Sequence, residues 1–253
     1  MDTTGLEALR DMFGPNRYEL KFYPAPGSER TPFALVCPGG GYACVMSCIE
    51  GKPIAKALNE RGYSVFVLRY RCRERARYPS PLIDIANAVK EILAHAGCYR
   101  VDPQNYAVFG FSAGGHLAAM YGVKALGWGK FALPRPTALV LSYPVITMGE
   151  KTHAGSRDNL LGKQPAHDAI QRCSVEKQVN ADYPPTFLWC GDADKTVDPD
   201  NSRMLADALA ACHVPHRLTV FPGVDHGVGL GKGLACEQWL DEAVTFWKEQ
   251  EVK

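Results

Sequence analysis

An α/β fold, three layers deep with a mostly parallel central sheet flanked by helices, is what this 253-residue sequence predicts. Three observations carry that prediction. Short, nearly continuous apolar runs recur at 33–37, 63–68, 106–109, 138–143 and 185–190, as strands buried on both faces would. Amphipathic helical patterns lie between several of them, and a strand–helix–strand unit makes parallel neighbours. At 106–122 an apolar run strikes a glycine-flanked serine and turns straight into a helical pattern, a connection that belongs to a strand feeding a helix.

The composition sets the class. With 46% hydrophobic and 22% charged residues the chain reads as an ordinary soluble globular protein, and residues 1–253 fit one large α/β domain. A formal charge of +1 leaves no electrostatic footprint for nucleic acid or an anionic membrane. No run of 18 apolar residues is present, so no membrane span is expected. The opening MDTTGLEALRDMFG lacks a basic region followed by an apolar one, so no secretory signal is expected. Nine scattered cysteines, an odd number without a C-x-x-C pair, point to buried thiols in a reduced, cytoplasmic compartment rather than to disulfides or zinc.

In chain order, RYELKFY at 17–23 alternates like a half-exposed edge strand. Residues 33–37 are a buried strand, and 50–61 an amphipathic helix that Gly62 closes. The strand 63–68 follows, parallel to 33–37. The arginines at 69, 71, 73, 75 and 77 read as a solvated loop, or as a border of the substrate entrance. Pro79 and Pro81 punctuate that loop before a helix at 82–95, where Asp84 is expected to be structural. The strands 138–143 and 185–190 bracket a polar insertion, 147–182, that holds a short helix around 158–161. It is expected to form a small lid over the strand ends, with His153 and His167 at the surface. A helix at 200–212, a strand at 217–221 and a closing helix at 236–248 complete the chain.

The chemistry concentrates in four stretches. Gly110-Phe111-Ser112-Ala113-Gly114 is G-x-S-x-G between a strand and a helix, which raises Ser112 as a nucleophile and the Ala113 N–H as an oxyanion donor. A glycine-rich turn with an N-capping serine is the competing reading. Pro38-Gly39-Gly40-Gly41-Tyr42 follows a buried strand and leaves backbone N–H groups uncovered, so Gly40 or Gly41 is a candidate second donor. A phosphate cradle would require Gly-Lys-Ser/Thr or G-x-G-x-x-G, and neither occurs. Asp192 and Asp194 both lie past the strand 185–190, where a carboxylate can orient a histidine, and His226 follows the last strand.

The order of serine, aspartate and histidine resembles that of the α/β-hydrolase superfamily, and the resemblance runs along nearly the whole chain. More narrowly the chain is similar to the esterase/lipase branch that contains carbohydrate acetylesterases. It rests on PGGGY at 38–42, GFSAGGHLA at 110–118, LSYPVIT at 141–147, PPTFLW at 184–189, G-x-x-D-x-x-V at 191–197 and DHG at 225–227. The resemblance implies the three-layer α/β-hydrolase fold, Ser112 as nucleophile, His226 as general base and Asp194 as acid. Two departures stand out. Pro38 replaces a histidine common among relatives, and Cys190-Gly191-Asp192 replaces a histidine-containing turn, which keeps Asp192 as a rival. The implied activity is hydrolysis of a carboxylic ester through an acyl-enzyme, with a short acyl group such as acetyl on a sugar or small alcohol. No metal or organic cofactor is called for, and the partner is a small-molecule ester. The same triad would serve an arylformamidase-like amide hydrolase, and a catalytically silent binding protein is the alternative of another class.

Overall fold

The computed structural model describes residues 17–27 and 29–251; the opening stretch read for a leader lies outside them. Seven strands form one sheet in the order β1-β3-β2-β4-β5-β6-β7. They are β1 (Glu19–Tyr23), β2 (Thr31–Cys37), β3 (Ser64–Arg69), β4 (Val101–Phe111), β5 (Ala138–Ser142), β6 (Thr186–Gly191) and β7 (His216–Phe221). Only β1 runs antiparallel, against β3 at the sheet edge, and every other pairing is parallel. The three-layer fold and the parallel pair β2–β3 are therefore as expected.

Alternation along the strands divides the core in two. Phe33, Leu35, Leu68, Val108 and Leu139 face one side, where α2 (Ser80–Ala94), α4 (Ser112–Gly122) and α7 (Asp200–Ala211) pack. Ala34, Val36, Phe109, Val140 and Trp189 face the other, against α1 (Lys52–Asn59) and α8 (Trp239–Glu249). With both faces covered, the inner strands β3, β5 and β6 have no wet side and read as continuous apolar runs, while the edge strands β1 and β7 stay partly exposed. A four-residue helix, α3 (Ala96–Tyr99), links α2 to β4.

Several boundaries differ from expectation for local reasons. The helix expected at 50–61 is a π turn, Ser47–Gly51, followed by α1; Pro53 sits in the first turn of α1, where its missing N–H is no loss. In the same way α2 begins at Ser80 and takes Pro81 into its first turn. Strand β4 starts five residues early, at Val101, and pairs with β2 through a register shift between Thr31 and Phe33. The closing helix starts at Trp239, because a turn in which Trp239 N–H bonds the Cys236 carbonyl precedes it. The insertion holds two helices rather than one, α5 (Ala154–Leu161) and α6 (His167–Cys173), and a 3-10 turn.

The arginine-rich stretch is more than a solvated loop. Arg71 clasps the buried Asp84 with its guanidinium at 2.8 Å and its backbone N–H at 2.9 Å, which is the structural role expected of Asp84. Arg77 donates to the carbonyls of Asp158 and Asn159 at 2.5 and 2.6 Å, and so ties this stretch to α5 of the insertion.

Candidate active site

The turn from β4 into α4 is closed by sterics. A Cβ on Gly114 would lie 2.1 Å from the Cys37 carbonyl oxygen, and one on Gly110 would lie 2.6 Å from that of Gly114. Only hydrogen fits at either flank, so the strand and helix approach at backbone contact. Ser112 is left at the tip with φ of +52°, a strained conformation for a residue with a side chain. The N–H of Ala113 falls in the first turn of α4, where a helix offers it no acceptor of its own.

His226 comes from the loop after β7 and reaches Ser112: its Nε2 stands 2.8 Å from the Ser112 Oγ. Its Nδ1 stands 2.7 Å from Asp194 Oδ2. A carboxylate only accepts, so Nδ1 carries the proton and Nε2 is the acceptor for the serine hydroxyl. The other oxygen of Asp194 accepts the N–H groups of Thr196 and Val197, both at 2.9 Å, which fixes the carboxylate plane. Asp192 is elsewhere: its Oδ1 accepts the Gly223 N–H at 2.6 Å and braces the β7 loop. The structure thus brings Ser112, His226 and Asp194 together and leaves the rival Asp192 out.

The glycine loop after β2 forms the facing wall. Gly40 has φ of +124°, and a Cβ there would lie 2.4 Å from the Cys44 carbonyl oxygen, so the turn needs glycine. Gly40 and Gly41 line the cleft beside Ser112. The rest of the loop is bound residue by residue. The Tyr70 hydroxyl donates to the Pro38 carbonyl at 2.7 Å, Gly39 N–H donates to Glu50 at 2.7 Å, and the Asn159 amide donates to the Gly41 carbonyl at 2.9 Å. The Tyr42 hydroxyl reaches His116 Nδ1 at 2.8 Å, and His116 Nε2 donates to the Cys173 carbonyl at 2.7 Å. Burial pushes His116 down to about 4, so it is neutral and acts as a strap between the glycine loop, α4 and the insertion.

The cleft measures about 230 Å³ and is lined by Met46, Ile49, Glu50, Thr196, Gly227 and His153 besides the residues above. A larger groove of about 510 Å³ between α1 and α8 carries charges of both signs, among them Lys52, Lys56, Glu237 and Asp241, but no serine, cysteine or histidine. The chemistry therefore belongs to the smaller cleft. His153 is a correction to expectation. It is half buried, caps α5 with Nδ1 standing 2.8 Å from the Ser156 hydroxyl and 3.3 Å from the Ser156 N–H, and lines the cleft. His167 is exposed, as expected.

Two further residues at the site escaped the sequence reading. Glu50 reads there only as the first residue of an amphipathic helix, and Tyr143 as the last residue of a strand; both are buried, Tyr143 against the His226 ring and Glu50 against Tyr143. Among the described residues no cluster of histidine, cysteine or acidic side chains could hold a metal ion, and no helix is long and apolar enough to cross a membrane.

Two family profiles match the chain: the prolyl oligopeptidase family over residues 80–251 and BD-FAE over residues 21–128. Endo-1,4-beta-xylanase B of Butyrivibrio fibrisolvens is 38% identical over 81% of this chain and 34% of its own length. Acetylxylan esterase of Xylanibacter ruminicola is 30% identical over 83% of this chain and 44% of its own length. The chain thus spans less than half of each of these relatives. Among solved structures, an acetyl ester-xyloside bifunctional hydrolase from Caldicellulosiruptor lactoaceticus superposes with a TM-score of 0.86 at 32% identity, covering 98% of this chain and 94% of that one. The elbow, the facing loops and these matches agree, and the chain belongs to the α/β-hydrolase superfamily, in the esterase branch that holds the carbohydrate esterases and shares the prolyl oligopeptidase family profile.

Proposed function

We propose that this chain is a serine carboxylic-ester hydrolase that removes short acyl groups, acetyl first among them, from a xylose-based oligosaccharide, the whole chain acting as one domain. The observation that carries the reading is the hydrogen-bonded line from Asp194 through His226 to Ser112, at 2.7 and 2.8 Å, at the foot of an open cleft. His226 takes the Ser112 proton as the hydroxyl attacks the ester carbonyl, then delivers it to the leaving sugar oxygen. Asp194 holds the imidazole tautomer and stabilises the imidazolium. The tetrahedral oxyanion is met by the Ala113 N–H and by that of Gly40 or Gly41, each donor lowering the barrier by roughly 3 kcal/mol. Water then repeats the attack and frees the acid.

The acyl preference follows from size and lining. A cleft of about 230 Å³ lies below the usual range for drug-sized ligands and suits a small acyl group, with Met46 and Ile49 to cover its methyl end. The sugar follows from the printed names of an acetylxylan esterase and of an acetyl ester-xyloside hydrolase among the relatives. The insertion serves as a fixed wall, since His116, Asn159 and Arg77 tie it to the body at three points. Nine cysteines, none of them in a disulfide, fit a reducing cytoplasm, where the substrate would be a soluble oligosaccharide rather than a polymer.

The test compares wild type and Ser112→Ala on p-nitrophenyl esters of two, four and eight carbons and on acetylated xylo-oligosaccharides. We expect acetyl turnover to lead, acetate release from the sugar, and loss of roughly 10⁴-fold or more in the variant. Faster turnover of the eight-carbon ester would sink the short-acyl assignment, and an active Ser112→Ala would sink the mechanism.

A further inference from the structure

Three loops meet beneath Ser112, and no triad residue joins them. The glycine loop brings Gly39, the end of β5 brings Tyr143 and the His226 loop brings Gly229. Glu50, projecting from the π turn before α1, is their common partner. Its Oε2 accepts the Gly39 N–H at 2.7 Å, and its Oε1 accepts the Tyr143 hydroxyl at 2.7 Å. The Tyr143 oxygen in turn accepts the Gly229 N–H at 3.2 Å, and the Tyr143 ring packs edge-on to the His226 imidazole, centroids 4.8 Å apart.

Stability gives no reason for this arrangement. Glu50 is only 4% exposed, and burial raises its carboxyl above the ordinary range, against the opposing pull of the Tyr143 and Gly39 donors and of His226. An apolar or neutral residue there would be cheaper to bury. Tyr143 also holds φ of +39°, a conformation that a bulky aromatic adopts only under constraint. Irregular helix turns such as the one carrying Glu50 recur at functional sites. The carboxylate, moreover, lies against the nucleophile: a Cβ on Gly39 would stand 2.8 Å from both Glu50 Oε2 and Ser112 Cβ.

We infer that Glu50, acting with Tyr143, is a positioning residue for the ester hydrolysis proposed above: it sets Gly39, and with it the Gly40 and Gly41 donors, against the seat of His226. The inference rests on that reading of the site. A carboxylate supplies two acceptors for two donors that approach from opposite sides. Glutamine puts an NH2 that only donates in place of one acceptor, so either the Gly39 N–H loses its acceptor or the Tyr143 hydroxyl must turn from donor to acceptor on an oxygen that already accepts the Gly229 N–H. Oxyanion donors act only when they stand where the charge develops, so a small drift of the glycine loop lowers turnover without weakening ground-state binding.

The test measures steady-state kinetics on p-nitrophenyl acetate and thermal melts for Glu50→Gln, Tyr143→Phe and Ser112→Ala. We expect Glu50→Gln to lower kcat roughly 10- to 100-fold with KM within about threefold, while Tm holds or rises because the buried charge is gone. Tyr143→Phe keeps the ring against His226 and should lower kcat about fivefold. A Glu50→Gln enzyme within twofold of wild-type kcat, or one whose loss disappears once rates are corrected for the folded fraction, overturns the inference. Should Glu50→Gln fail to fold, Tyr143→Phe decides by the same criterion. An inactive Ser112→Ala with a wild-type Tm keeps the ester-hydrolase reading standing whichever way Glu50 falls, and an active one removes both.

Discussion

The elbow at 110–114 and the glycine loop at 38–42 both border the cleft, and each carries a proposed oxyanion donor, yet they are held in opposite ways. The elbow is held by what its residues lack. Gly110 and Gly114 have no Cβ, so β4 and α4 close to backbone contact and Ser112 is forced to the tip. The glycine loop is held by what distant residues add: Tyr70, Glu50, His116 and Asn159 each take one of its polar groups. A turn fixed by steric exclusion is specified within five residues. A loop fixed by donated hydrogen bonds is specified by four segments of the chain, and it can be loosened by degrees.

The largest effect should come from the elbow. Gly114→Ala drives a Cβ into the Cys37 carbonyl oxygen at 2.1 Å, and neither backbone can yield, so we expect more than about 4 kcal/mol of destabilisation or no folded protein. Circular dichroism and a urea titration check it. Next is the acid that aligns His226. Asp194→Asn should lower kcat roughly 10⁴-fold by inverting the imidazole tautomer, while Asp192→Asn, which touches only the Gly223 N–H, should stay within about threefold. A larger loss at Asp192 would reverse the assignment.

The strap at His116 should show itself in pH dependence. Its folded value is lowered from 6.5 to about 4 by burial, so between those values the unfolded chain binds a proton that the folded chain refuses. Stability should therefore fall as pH falls from 6.5 toward 4, by up to roughly 3 kcal/mol from this group, and level off below. Melts of His116→Gln across that window should be flatter than those of wild type. The smallest effect is expected at Asn159→Ala, which frees the Gly41 carbonyl and leaves the other ties of the loop intact. A two- to fivefold loss in kcat, roughly a kcal/mol or less, is the expected reading. If Asn159→Ala instead matched Glu50→Gln, the ties of the loop would act as one unit rather than in gradation.

The same contrast explains what could be read beforehand. The sheet strands were legible because their two-sided burial leaves continuous apolar runs, and Ser112 was legible because its constraint is local. Asp194 was distinguishable from Asp192 only through a family resemblance, since spacing alone allowed both. His153 was read as surface because an isolated histidine in a polar insertion carries no signal of the cleft that α5 turns it toward. Glu50 was hidden more thoroughly. An acidic residue at a helix start is what the helix dipole favours, so nothing in the pattern marked it as the partner of Gly39 and Tyr143, 11 and 93 residues away.

By itself the sequence determined the parallel α/β sheet, the sharp turn that presents Ser112 and the order in which serine, acid and histidine arrive. Those features follow from periodicity and from missing side chains, which act over a few residues. Only the tertiary structure decided which aspartate meets His226, that the insertion is strapped to α4, and that a buried carboxylate joins the glycine loop to Tyr143 at the seat of His226. Each of these depends on hydrogen bonds between segments tens of residues apart, and a hydrogen-bond partner is chosen by distance and angle in space, for which local sequence pattern has no counterpart.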